Sequence, residues 1–156
     1  MVQQADNMQK YLNYKEQMGR LKKAIANSFY LEAIFIEYAI IEDRLESILR
    51  HSGKWNPKPD QHVSIEKKIR MVEKLAEEKK GLARKYFDDQ LFVDLKEWKD
   101  ERNRLIHALM KQSLHTEDLK VVVERGQALV KHLNNKSSLY NRSIEKKQEQ
   151  EHRNNG

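Results

Sequence analysis

Apolar residues recur at alternating spacings of three and four along most of the chain, and no stretch alternates apolar and polar residues. Spacing of this kind puts the apolar side chains on one face of an α-helix. Residues that interrupt helices are scarce, with five Gly and two Pro among 156 residues. The sequence therefore predicts an all-α fold, a four- to five-helix up-and-down bundle around a single core.

Turn residues and apolar spacing divide the chain into five predicted helices and one short helical piece. The helices are expected at residues 14–26, 29–51, 64–80, 88–112 and 116–133, with the short piece at 81–87 and frayed residues at 1–13. Ser64, Asp88 and Thr116 are the expected N-caps, because their side-chain oxygens can accept hydrogen bonds from the first turn. Residues 1–133 are predicted to form one domain. Residues 134–156 are a polar C-terminal extension, either a solvated helix or disordered.

Composition limits the classes of partner and site. A net charge of +6 permits an anionic partner such as nucleic acid. The absence of cysteine excludes disulfides, thiolate zinc sites and cysteine nucleophiles. The most apolar stretch, residues 30–41, contains two glutamates and is too short to span a membrane. We expect a cytoplasmic protein without membrane contact.

The predicted helix 88–112 has an apolar seam that an arginine interrupts. The apolar members of the seam are Leu91, Leu95, Trp98, Leu105 and Leu109. Arg102 occupies the interior position between Trp98 and Leu105. Because arginine keeps its charge, a buried guanidinium needs an acidic partner, a bound anion or a path to water. Glu42, beside the seam of the second helix, is the expected partner; otherwise it is an ordinary surface carboxylate.

Asn103 and His107 lie four residues apart and therefore share one face of the same helix. Together with Arg102 they form the pattern R-N-x-x-x-H. This motif resembles the signature of the HEPN superfamily, the higher eukaryotes and prokaryotes nucleotide-binding domains. Members of that family are α-helical bundles that carry the motif on a late helix, and the resemblance covers residues 14–133. A looser arginine-to-histidine pattern also begins at Arg44 and at Arg125, but of these three arginines only Arg102 is followed by asparagine.

The resemblance implies cleavage of RNA without a metal or other cofactor, in homodimers whose two motifs meet at the subunit interface. The 2′-hydroxyl of RNA is then the nucleophile, and the products are a 2′,3′-cyclic phosphate and a 5′-hydroxyl. His107 would transfer protons near neutral pH. Arg102 would bind phosphate oxygens, and Asn103 would orient the imidazole or the phosphate. Arg102 and His107 point about 140° apart on one helix, so two chains are expected to build the site.

Several expectations accompany this assignment. Arg104 and Lys111 would hold the RNA backbone, or else are solvated charges. Proteins of this kind act as toxins or phage-defence effectors with an antitoxin or regulatory partner. The toxin branch carries a modifiable tyrosine two residues after the histidine, where this chain has Leu109, which argues against that modification. The alternative is a non-catalytic helical module that binds a nucleotide or a protein partner. The histidines show no ligand spacing, so no metal site is expected.

Overall fold

The computed structural model describes residues 7–156, and every regular element in that range is a helix. The elements are α1 (Asn7–Ala26), α2 (Tyr30–His51), α3 (Ile65–Glu77), α4 (Ala83–Tyr86), α5 (Asp89–Ala108) and α6 (Thr116–Asn154). The predicted all-α bundle is confirmed, including the short helical piece that became α4. Within residues 7–156 there is no helix both long and apolar enough to cross a membrane.

Local capping explains where two of the helices begin. The Ser64 side chain accepts from the backbone N–H of Lys67 at 3.2 Å, and Asp88 accepts from the N–H of Leu91 at 2.9 Å, as expected. Thr116 is instead the first residue of α6, after His115, which makes no side-chain cap. Helix α1 begins at Asn7, so the expectation of fraying is wrong for residues 7–13. Residues 1–6 lie outside the described residues.

Helix α2 is the central element, because it packs against α1, α3 and α6. Its apolar spacing predicts a buried seam of Ile34, Tyr38, Ile41, Leu45 and Ile48; the four aliphatic residues are fully buried, and Tyr38 is half-buried. From α5, Trp98 is buried and donates its indole N–H to the carbonyl oxygen of Val122 on α6, at 3.1 Å. The core therefore lies among α2, α5 and α6, and buried residues of α1 and α3, such as Leu21 and Val72, complete it.

Helices α2 and α6 run in the same direction. The Cβ position of Gly126 in α6 faces Glu37 of α2, while further along both helices Asn141 donates to Ser47 at 3.0 Å. The alternation of an up-and-down bundle is broken by the connection 52–64, where Pro57 and Pro59 prevent helix. The loop carries the chain back alongside α2, and Lys68 of α3 therefore lies beside Glu46 of α2.

Helix α6 continues far beyond its predicted end at residue 133. It has 39 residues, which corresponds to a length of roughly 58 Å. Tyr140 is 2% exposed, and its ring packs edge-on against Phe87 with centroids 5.3 Å apart. The polar extension is therefore helical, and its first part belongs to the core.

Candidate functional site

The guanidinium of Arg102 lies against aromatic rings of α2. Its central carbon is 4.0 Å from the centroid of the Tyr38 ring and 5.9 Å from the centroid of Phe35. The residue is half-buried, so it leaves the apolar seam of α5 and reaches sideways to the neighbouring helix. Attraction between a cation and an aromatic face then stabilises a charge that the core could not hold.

No carboxylate among residues 7–156 neutralises Arg102. Within residues 7–156 it takes part in no ion pair, and its Nε atom is buried without a hydrogen-bond partner. The expectation that Glu42 is its partner is wrong, because Glu42 lies 3.4 Å from the ammonium nitrogen of Lys68 on α3. Arg102 instead points toward the Tyr38 ring. Its charge is thus held in place but left available to an anion.

Asn103 contacts Arg102 directly. Its side-chain oxygen accepts a hydrogen bond from Arg102 Nη1 at 2.9 Å. Asn103 is exposed and sits one residue after the arginine, so it restricts the orientation of the guanidinium. The sequence predicted a role toward the imidazole or the phosphate, and the structure shows a contact with the arginine.

His107 is exposed in the last turn of α5, which ends at Ala108. It makes no hydrogen bond with Arg102 or Asn103 among the hydrogen bonds of the described chain. Leu109, predicted to lie in the apolar seam, is 39% exposed, and Met110 is 93% exposed. The apolar seam ends before Leu109 because α5 ends at Ala108. A single chain therefore places the His107 imidazole and the Arg102 guanidinium on different faces.

The two other arginine-to-histidine pairs have ordinary partners. Arg125 bonds to Glu101 at 2.7 Å and to Glu97 at 3.2 Å. Arg44 bonds to Asp43 at 2.6 Å. Of these three arginines, Arg102 alone lacks a carboxylate within ion-pair distance among the residues described. That difference distinguishes Arg102 from Arg44 and Arg125.

Two exposed cations lie within or close to the motif. Arg104 and Lys111 are exposed, and neither belongs to an ion pair in the described part of the chain. Both are thus free to contact a polyanion, as the expected RNA-binding role requires. The aromatic residues Phe35 and Tyr38 were not predicted as site residues, because their periodicity marks them only as members of a helix face.

Residues 7–156 contain no group of three His, Asp or Glu side chains that could hold a metal ion. Comparison with models of known protein families, with curated proteins and with solved structures finds no match for this chain.

Proposed function

We propose that this protein is a metal-independent endoribonuclease of the HEPN type that acts as a homodimer in the cytoplasm. The observation that supports the proposal is the environment of the Arg102 guanidinium. Two aromatic rings hold its guanidinium at 4.0 and 5.9 Å, and no carboxylate in the described residues 7–156 lies within ion-pair distance of it. A cation kept in this way is suited to a phosphate, because binding does not first have to break an ion pair.

The chemistry needs only proton transfer and charge stabilisation. The 2′-oxygen attacks the adjacent phosphorus as its proton passes to a neutral imidazole, and the 5′-oxygen leaves as it gains a proton from an imidazolium. One His107 would serve as the base and the His107 of the second chain as the acid. Arg102 would bind the non-bridging oxygens, whose negative charge increases in the transition state. The products are a 2′,3′-cyclic phosphate and a 5′-hydroxyl.

Exposed apolar residues beside the motif favour a site shared by two chains. Phe35 is 55% exposed next to Arg102, and Leu109 and Met110 follow His107 in sequence. A two-fold interface through these residues would bury them and bring two copies of the motif together. A role as a toxin or phage-defence effector would require a regulatory partner. Leu109 has no hydroxyl to modify, so that partner would act by other means.

The test is cleavage of single-stranded RNA by purified protein in the presence of EDTA. We expect wild-type protein to cleave, and Arg102→Ala and His107→Ala each to lose at least about 100-fold in rate, since positioned proton transfer alone contributes about 10²–10⁴-fold. Arg102→Lys should lose most of the activity as well, because lysine cannot bind two phosphate oxygens in the planar geometry of a guanidinium. Circular dichroism checks the fold of each variant.

His132→Ala is the matched control, because His132 is likewise an exposed histidine on a helix. It should cleave at the wild-type rate. If His107→Ala cleaves as fast as wild type, the assignment is wrong. The protein would then be a non-catalytic helical module that binds a nucleotide or a protein partner.

A further inference from the structure

Helix α1 carries most of the net charge of the protein. Its twenty residues include five cations and one carboxylate, a net charge of +4 out of +6 for the whole chain. Arg20 pairs with Glu16 at 3.4 Å, and both side chains are 61% exposed. In the described part of the chain, Lys15, Lys22 and Lys23 form no ion pair. The positive charge of α1 is therefore concentrated and largely unneutralised.

The outer face of α1 faces solvent along its whole length. Met8, Leu12, Lys15, Gly19 and Lys22 follow one another at spacings of four and three, so they share one face. All five are exposed, because α1 packs chiefly against α2 with its opposite face. This face changes from apolar residues in the first turns to lysines in the later turns.

Exposed aromatic rings lie at both ends of this basic face. Tyr11 and Phe29 are each 60% exposed. Tyr11 lies near the start of α1 and Phe29 just after its end, and the span from Tyr11 to Ala26 is roughly 22 Å at 1.5 Å per residue. Beside Phe29 is a cavity of about 240 Å³ whose lining includes Arg20, Lys23 and Asn27. It offers a ring face and two cations in one place, with the carboxylate of Glu32 at its border.

We propose that the outer face of α1, together with Phe29, binds single-stranded RNA. Lys15, Lys22 and Lys23 contact the phosphates, and Tyr11 and Phe29 stack unpaired bases. A positively charged track combined with exposed aromatic side chains, here at its two ends, is an arrangement that binds single strands without base pairing. The inference rests on the proposed function in one respect, that the bound RNA is also the substrate.

The distribution of residues favours RNA over a lipid surface. A helix that lies on a membrane has an apolar face along its full length, opposite a charged face. On α1 the apolar and basic residues follow one another along a single exposed face. An RNA strand on that face would lie one helix away from the site, because Tyr14 of α1 contacts Arg44 of α2 while Arg102 contacts Tyr38 of the same helix.

The test measures binding of a short, unstructured, fluorescently labelled RNA by anisotropy in EDTA, on wild type and on His107→Ala. The test variant is Lys15→Glu/Lys22→Glu/Lys23→Glu. Its matched control is Lys131→Glu/Lys146→Glu/Lys147→Glu, which changes the same charge at three exposed positions of α6. Loss of three phosphate contacts should weaken binding at least about tenfold and lower the salt slope by about 2. Phe29→Ala should weaken binding roughly fivefold or more through lost stacking.

The control variant should bind within about threefold of wild type, since it removes only long-range attraction. Equal losses in the test and control variants would overturn the proposal, as would wild-type binding by Phe29→Ala and the triple α1 variant. Binding of α1 to anionic phosphatidylserine vesicles with no effect on RNA would also overturn it and assign the face to a membrane.

The outcomes also separate this surface from the proposed nuclease. If RNA binds through α1 but is never cleaved, the surface stands and the nuclease does not. If RNA is cleaved through Arg102 and His107 while the α1 variants bind as wild type does, the nuclease stands and the surface does not.

Discussion

At the scale of single residues, Arg102 and Glu37 are two ionisable groups beside the core whose surroundings have opposite effects. The Arg102 side chain leaves the apolar interior and stacks on Tyr38, so its charge stays accessible to an anion. Glu37 is fully buried in α2, and neither of its side-chain oxygens has a hydrogen-bond partner. Burial raises the pKa of Glu37 from its usual 4.5 to about 9. The core therefore holds Glu37 as a neutral acid at neutral pH.

Glu37→Gln should remove a pH dependence of stability. Between pH 4.5 and about 9, wild-type folded protein binds a proton at Glu37 that the unfolded chain has released. The contribution of this proton is fully present below pH 4.5, and stability is lost as the pH rises toward 9, by up to about 1.4 kcal/mol per pH unit. The glutamine variant lacks this slope, so its advantage over wild type should grow from about pH 5 to about pH 8.

Urea unfolding at both pH values measures the effect. Glu32→Gln, at an exposed position of the same helix, should keep the wild-type slope. Parallel pH profiles for wild type and Glu37→Gln would show that the buried carboxyl group does not carry the dependence.

At the scale of helices, the contact between α2 and α6 depends on one glycine. A Cβ atom at Gly126 would collide with the Glu37 carboxyl group, whereas a Cβ at Gly19 on α1 would meet nothing within 4 Å. Glycine in a helix ordinarily costs roughly 0.5–1 kcal/mol relative to alanine. At Gly126 glycine is nevertheless the residue that fits, because α6 lies against the Glu37 side chain of α2 there.

Alanine substitution should therefore have opposite effects at the two glycines. Gly19→Ala should raise the free energy of unfolding by roughly 0.5–1 kcal/mol. Gly126→Ala should lower it by about 1–3 kcal/mol, because the added methyl group must displace Glu37. Chemical denaturation gives both values. A stabilised Gly126→Ala would mean that the Glu37 carboxyl group moves aside without cost.

At the scale of the whole molecule, the proposed site is incomplete in one chain. Arg102 is directed toward α2, and His107 is exposed at the end of α5. Met110, which is 93% exposed, extends the apolar surface beyond His107. A homodimer through this surface would explain why large apolar side chains are exposed beside the motif.

Met110→Glu should weaken the proposed dimer and reduce RNA cleavage in parallel, because burying a carboxylate in an apolar interface costs several kcal/mol. Sedimentation velocity and cleavage rates over a range of protein concentrations measure both effects. Val93→Glu, at a 45% exposed position near the other end of α5, is the control and should leave both unchanged. A wild-type monomer that cleaves RNA at every concentration would contradict the dimer.

The sequence alone determined the helices and the anomaly at Arg102. Apolar spacing and capping are local properties, so the bundle, the caps at Ser64 and Asp88 and the interrupted seam of α5 could all be predicted. The end of α6 could not, because Tyr140 is held by rings that lie elsewhere in the chain. Spacing along one helix also does not show which side chain of another helix is nearest.

Only the tertiary structure decided what surrounds each charge. In the structure, Glu42 pairs with Lys68, the Arg102 guanidinium stacks on the Tyr38 ring, and Glu37 is buried against α6. These partners are distant in sequence and depend on the direction and closeness of packed helices. The free energy of a buried or half-buried charge is set by such neighbours, which is why the motif could be located from the sequence and its environment could not.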